Sequence, residues 1–359
     1  MKIGKYEIKH PIIQGGMGVG ISWDQLAGHV SLEGGLGVIS AVGTGYYKKL
    51  SSNVNIVMRK DKPKEVLNFY SGGALKEIFD NARKICGNLP LACNILYAIN
   101  DYGRVVKDAC EAGANIIITG AGIPTNMPEF TKNFPDVALV PIVSSARALK
   151  LICKKWERYN KLPDAVIVEG PLSGGHQGFK YEDCFKEEFQ LENIVPPVIE
   201  EAKKWGDIPV IAAGGIWDKK DIDKFLNLGC AGVQMATRFI GTHECDADDN
   251  FKEVLLKAKE EDIVLMKSPV GLPARGVKTN LQFAIENKTA PKVQCISNCV
   301  APCNRGHEAR LVGYCIADRL GAAYKGDVDT GLFFSGSTGY KIDKIISVKE
   351  LMEKLTKGE

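Results

Sequence analysis

The sequence predicts an α/β fold, a (β/α)8 TIM barrel with an inserted C-terminal cap region. Eight short apolar segments alternate with helical patterns through the first 240 residues. Several of these segments are apolar throughout rather than alternating, as parallel strands buried on both faces should be. The polar and glycine-rich turns that look chemically active all follow strand C-termini, the reactive face of such a barrel.

The strands are expected at 11–15 (Pro-Ile-Ile-Gln-Gly), 36–40, 90–95, 115–119 (Asn-Ile-Ile-Ile-Thr), 137–143, 164–169, 208–213 and 231–236. Helices near 24–33, 75–86, 102–112, 126–133, 145–159, 193–205 and 218–227 return the chain between them. The alternative is an open doubly wound sheet, which needs a Gly-x-Gly-x-x-Gly turn and an acidic residue closing the second strand. Gly15-Gly-Met-Gly-Val-Gly20 meets that pattern only in part, and no acidic residue is suitably placed. After Arg238 the rhythm stops. Residues 241–325 read as a cap with a helix near 248–261. Residues 326–359 return to the barrel domain (1–240) through Gly326-Asp-Val-Asp-Thr-Gly-Leu-Phe-Phe-Ser-Gly-Ser337. The stretch 341–357, with apolar Ile342, Ile345, Ile346, Val348, Leu351, Met352 and Leu355, reads as a final amphipathic helix with a solvated face.

The charge balance, 46 Lys and Arg against 43 Asp and Glu, is interspersed and offers no basic stripe for nucleic acid. No apolar run reaches the length of a membrane span, and Met1-Lys-Ile-Gly-Lys-Tyr lacks the apolar stretch of a signal peptide. A soluble cytoplasmic protein with no membrane partner is expected. The eleven cysteines are then buried thiols, reactive thiols or metal ligands rather than disulfides.

Asp164-Ala-Val-Ile-Val-Glu-Gly-Pro-Leu-Ser-Gly-Gly-His-Gln-Gly178 is the most telling stretch, because a strand runs straight into a glycine-rich turn presenting His176. Two later strands end in small residues, Gly214-Gly215 and Ala236-Thr237, where barrels often bind phosphate. A phosphate alone could belong to a sugar. The small residues ending the other strands, Gly15, Gly16 and Met17 among them, suit a broad planar ring across the mouth, and flavin mononucleotide (FMN) meets both needs. A histidine of near-neutral pKa can take a proton from a carbon acid or give one to a developing carbanion, so His176 is the catalytic candidate for either reaction.

Together, Pro11-Ile-Ile-Gln-Gly-Gly-Met17, Asn94, Thr119-Gly-Ala-Gly122, Glu169 to Gly178, Ile211-Ala-Ala-Gly-Gly-Ile216, Gln234-Met-Ala-Thr-Arg-Phe239 and Gly326 to Gly331 resemble the nitronate monooxygenase (2-nitropropane dioxygenase) family, related to FMN-dependent enoyl-ACP reductase. The resemblance covers most of the chain. It implies an FMN barrel whose flavin contacts include Gly15, Gly16, Met17, Asn94, Thr119, Glu169, Gly174, Gly175, Gly214, Gly215, Gln234, Ala236, Thr237 and Gly336. The chain departs from the family pattern in having Gly336-Ser337 where relatives have a glycine-glutamine pair, and Pro171-Leu172-Ser173 before Gly174.

A third departure is Cys295-Ile-Ser-Asn-Cys-Val-Ala-Pro-Cys303, followed by Cys315. Pro302 discourages a continuous helix, so a loop there could wrap Cys295, Cys299 and Cys303 around one centre, with Cys315 arriving from a following helix. An iron–sulfur cluster, a zinc ion, or unligated redox-active thiols all remain open, because the spacing matches no ferredoxin run.

The expected function is FMN-dependent oxidation of a small activated carbon substrate, nitronate oxidation being the family label. Reduction of a carrier-bound enoyl chain by NAD(P)H is the rival within enzymes. A flavin and iron–sulfur electron carrier or redox sensor is the reading outside them. The oligomeric state is open, a homodimer among the options.

Overall fold

The computed structural model describes residues 1–47, 69–290, 293, 295 and 299–358. Eight parallel strands are formed: β1 (Ile12–Gln14), β2 (Gly37–Ser40), β3 (Leu91–Leu96), β4 (Ile116–Gly120), β5 (Ala138–Val143), β6 (Val166–Glu169), β7 (Val210–Ala213) and β8 (Gly232–Met235). Their order is β1-β8-β7-β6-β5-β4-β3-β2. A parallel bridge from Ile13 to Leu36 brings the two ends together, with the Leu36 amide 2.9 Å from the Ile12 carbonyl. Gln14 finishes this narrow seam: its Oε1 accepts the Val38 amide at 3.0 Å and its Nε2 donates to the Gly15 carbonyl. The sheet is therefore a closed barrel, as expected from the sequence.

Alternation along each strand divides the core in two. Ile13, Val38, Ala92, Ile116, Ile118, Val140, Ile167 and Ile211 fill the barrel, and Ile3 and Ile8 from the N-terminal hairpin (Lys2–Ile3 with Tyr6–Glu7) close its lower end. The other register, including Ile12, Cys93, Ile117, Leu139, Val168 and Val233, packs against the outer helices with Trp156, Phe79 and Leu149. Fully burying one such side chain stabilises the fold by about 1.5–3 kcal/mol. The helices begin where short polar side chains cap them: Ser71 for Gly72–Cys86, Ser145 for Ala146–Trp156 and Asp218 for Lys219–Asn227.

The region after 241 holds an element that the sequence pattern did not announce. Strand Ile263–Lys267 pairs antiparallel with Pro273–Val277, which in turn pairs with Gly175–His176. The final helix starts later than expected, at Val348, because Ser347 caps it by accepting the Glu350 amide. Ile342 and Ile346 are buried outside the helix, and Ile346 bridges Thr242 instead.

Candidate active site

Alternation places the functional side chains at the barrel mouth. Asn94 stands two residues above Ala92, and Glu169 two above Ile167, so both continue the inward register at the C-terminal ends of β3 and β6. Gln234 on β8 is inward as well, since its neighbours Val233 and Met235 face the helices. These three polar groups rim the top of an apolar barrel. Burial pushes the Glu169 carboxyl up to about 7. Desolvation disfavours its charged form, and among the described residues no cation compensates.

The floor of the mouth is made by absent side chains. A β-carbon on Gly16 would overlap Asn94, and one on Gly15 would stand 3.2 Å from the Ala236 Cβ and 3.3 Å from Gln234 Cγ. The Met17 amide donates to Ser22 Oγ at 2.8 Å, which fixes the turn leaving β1. Thr119 does not join this group. Ile118 takes the inward position on β4, and Thr119 is turned to the helix layer, where its hydroxyl bonds Tyr102 at 3.0 Å. Only its backbone is available to a ligand.

At the ends of β7 and β8 the small residues converge on the returning C-terminal segment. Gly214 and Gly215 adopt φ of +102° and +77°, conformations that favour glycine. A β-carbon on Gly214 would meet the Gly170 carbonyl at 2.9 Å. Thr237 Oγ1 accepts the Gly336 amide at 2.8 Å, and the Ser337 amide donates to the Leu172 carbonyl at 3.0 Å. Gly174 approaches the same segment so closely that any side chain there would strike the Ser335–Gly336 peptide. Gly174, Gly214, Gly215, Thr237 and Gly336 thus pack closely around the 170–174 loop, an arrangement that brings the backbone ending β7 and β8 next to the loop of His176.

His176 stands beside it. The two-residue strand Gly175–His176 is held in register against Ala274 and Arg275. The imidazole Nε2 lies 2.7 Å from Ser268 Oγ, and the ring meets Phe334 edge-on at 5.3 Å. Burial lowers its pKa to about 4. Burial thus favours the neutral form of the ring. Arg275 faces the other side of this small sheet, where its Nη2 donates to the Pro171 carbonyl at 2.8 Å and fastens the loop leading into Gly174.

Ser268, Arg275 and Phe334 are the site residues that sequence reasoning passed over. Phe334 lies within the quoted return motif, whereas nothing in the pattern around 263–277 marked a strand that would reach His176. The four cysteines have a different outcome. Cys295 is exposed, Cys299 half-buried, and Cys303 and Cys315 buried. Among the described residues no three His, Cys, Asp or Glu side chains come together as a metal-ligand set. Cys303 sits in a 3-10 turn facing the core, while Cys315 sits at the entry of the helix Ile316–Tyr324.

Residues 1–358 match the family described as nitronate monooxygenase. The chain belongs to that family. It is an oxidoreductase, of a family of FMN-dependent enzymes. It is 28% identical over 290 residues to a probable nitronate monooxygenase of Staphylococcus saprophyticus, covering 77% of each chain. It is 27% identical over 303 residues to a probable nitronate monooxygenase of Bacillus subtilis, covering 80% of this chain and 82% of the relative. Among solved structures it resembles FabK, an enoyl-ACP reductase, of Thermotoga maritima: TM-score 0.72 and 28% identity over 98% of this chain and 93% of that one. No helix of the described residues is long and apolar enough to cross a membrane.

Proposed function

We propose that this chain binds FMN at the barrel mouth and oxidises a small nitroalkane, a carbon acid, or its conjugate base the nitronate, with His176 as the proton-transfer residue that takes the α-proton where the substrate still carries it. The observation that carries this reading is the placement of His176, on a two-residue strand held against Ala274 and Arg275, with Nε2 2.7 Å from Ser268 Oγ and the ring edge-on to Phe334. A neutral imidazole has a lone pair with which to take a proton from a carbon acid.

The residues fit the cofactor. The backbone at Gly214, Gly215, Thr237 and Gly336, drawn together at the ends of β7 and β8 because no β-carbon intervenes, would form a cradle that holds the phosphate. Gly15, Gly16 and Met17 leave the floor flat for a planar ring, with Asn94, Glu169 and Gln234 at its polar edge. Bound FMN supplies two-electron redox chemistry there. The protein orients the substrate carbon against His176, whose Nε2 is occupied by Ser268 and whose Nδ1 is left to receive the proton. Phe334 closes one side of the imidazole against water.

Reduction of an activated alkene, including a carrier-bound enoyl group with NAD(P)H as donor, is the second reading. It is supported by the similarity to FabK along nearly the whole chain. Among the described residues the cysteines form no metal-ligand set, so the geometry gives no support to an iron–sulfur or zinc centre. The interspersed charge pattern supports a cytoplasmic enzyme without nucleic-acid partners. Acid release and chromatography test the cofactor, which should be FMN. Recovery of FAD, or a colourless protein that does not take up added FMN, would overturn the assignment. Turnover of a nitronate with oxygen, compared with turnover of an enoyl thioester with NAD(P)H under anaerobic conditions, decides between the substrates.

A further inference from the structure

The loop between β6 and His176 has little stiffness of its own, since Gly174 and Gly175 carry no side chains and Gly175 sits at φ +72°. Two buried side chains hold it from one side. Gln177, 1% exposed, folds back over the loop: its Nε2 donates to the Ser173 carbonyl at 2.9 Å and to the Gly175 carbonyl at 2.9 Å, and its Oε1 accepts from Ser173 Oγ at 3.3 Å. Arg275, also buried, donates from Nη2 to the Pro171 carbonyl at 2.8 Å.

The hydrogen count shows how specific this arrangement is. A primary amide has two hydrogens, and the two carbonyls take both; a carbonyl cannot donate, so only the hydroxyl of Ser173 can serve Oε1. Every polar atom of the Gln177 side chain is thus engaged with the segment just before His176. The Gln177 amide donates to the Pro273 carbonyl at 2.8 Å, which ties the same residue to the cap strand that pairs with His176. Alternation along the short strand then sends the imidazole to the opposite face, toward Ser268 and Phe334. Pro171-Leu172-Ser173 is one of the places where this chain departs from the family pattern, and Ser173 is the partner that Gln177 uses.

We propose that Gln177 is a positioning residue for the reaction, with Arg275 as its second brace: their donors to three carbonyls of residues 171–175 fix the backbone that carries His176, so that the imidazole meets the substrate carbon at one place. Gln177 acts through His176 and not on the substrate. The inference rests on His176 being the proton-transfer residue, and its test is chosen to separate the two claims.

The test combines steady-state kinetics with amide hydrogen exchange on the flavin-loaded protein. Gln177→Met has nearly the same size and no donors. It should exchange faster at residues 173–177 and lose kcat by up to about 100-fold, with KM little changed and flavin retained, because a displacement of about 1 Å suffices for such a loss. In a His176→Ala background the same substitution should cost nothing further, since its effect passes through the imidazole. Arg275→Met should lower kcat in the same way, and Arg275→Lys, which keeps a donor for the Pro171 carbonyl, should recover part of the loss. A folded Gln177→Met protein with wild-type kcat and exchange overturns the proposal, and so does a loss that recurs at full size without His176. If Gln177→Met does not fold, equal kcat in Arg275→Met and Arg275→Lys overturns it. Full activity of His176→Ala would instead end the proton-transfer reading, while the exchange rates report the bracing of the loop by themselves.

Discussion

A β-carbon on Gly174 would lie 2.7 Å from the amide nitrogen of Gly336, a contact between the loop carrying His176 and the segment that returns after the cap. Both neighbours are backbone, so neither can swing aside. Gly174→Ala should therefore separate the two segments at a cost of about 1–3 kcal/mol and open the cradle. Flavin content after gel filtration and the thermal midpoint check this; a variant with full flavin and an unchanged midpoint would show that the close approach does not matter.

His176→Ala should retain flavin, because the ring lies beside the cradle rather than in it. Loss of a general base typically lowers turnover about 100- to 10,000-fold. Steady-state kinetics on the substrate identified, with the flavin ratio measured alongside, distinguish loss of proton transfer from loss of cofactor.

Two groups titrate at the mouth, and they separate by pH. With His176 unprotonated above about 4, kcat/KM should fall only as pH drops through that value. Glu169 ionises near 7, so a break there belongs to it and should vanish in Glu169→Gln. Stability gives an independent sign. The folded carboxyl keeps its proton between its ordinary value of 4.5 and about 7 while the unfolded one loses it, so stability falls as pH rises across that window. In flavin-free protein, the melting temperature of Glu169→Gln should gain on wild type as pH rises through it. Parallel curves for the two proteins would refute the assignment.

Asp246 caps a helix distant in sequence. Its carboxylate accepts the amides of Trp23 at 2.7 Å, Gln25 at 3.1 Å and Leu26 at 3.2 Å, at the start of the helix Asp24–Leu32. Removing the side chain leaves buried donors unsatisfied, at about 1–3 kcal/mol. Asp246→Ala should lower the denaturant midpoint by more than Asp246→Asn, which keeps one acceptor oxygen. Equal midpoints for both variants would mean that solvent satisfies these amides.

Thiol chemistry tests the cysteine segment. Cys295 is the exposed cysteine, and nine of the eleven are buried. Native protein should show one fast-reacting equivalent with a chromogenic disulfide, lost in Cys295→Ser. Absence of the fast phase together with bound iron and sulfide would restore a ligand role to these residues.

The sequence by itself determined the barrel and its reactive end. Apolar runs such as Ile116-Ile-Ile118 exclude solvent on both faces, and strand alternation then obliges Asn94 and Glu169 to point into the mouth. The glycines at 174, 214 and 215 were legible for a similar reason, since a missing side chain in a turn has few other uses. Local pattern fails where the partner is remote. Thr119 ended a strand and looked like its neighbours, but a one-residue step in register turned it toward Tyr102. The cysteines from 295 to 315 were close in sequence, but the 3-10 turn that buries Cys303 and the helix entry at Cys315 were not readable from their spacing. Ser268 and Arg275 gave no signal at all, because they reach the site through a cap sheet pairing with Gly175–His176 across almost 100 residues, and such pairing is settled by tertiary packing rather than by local composition.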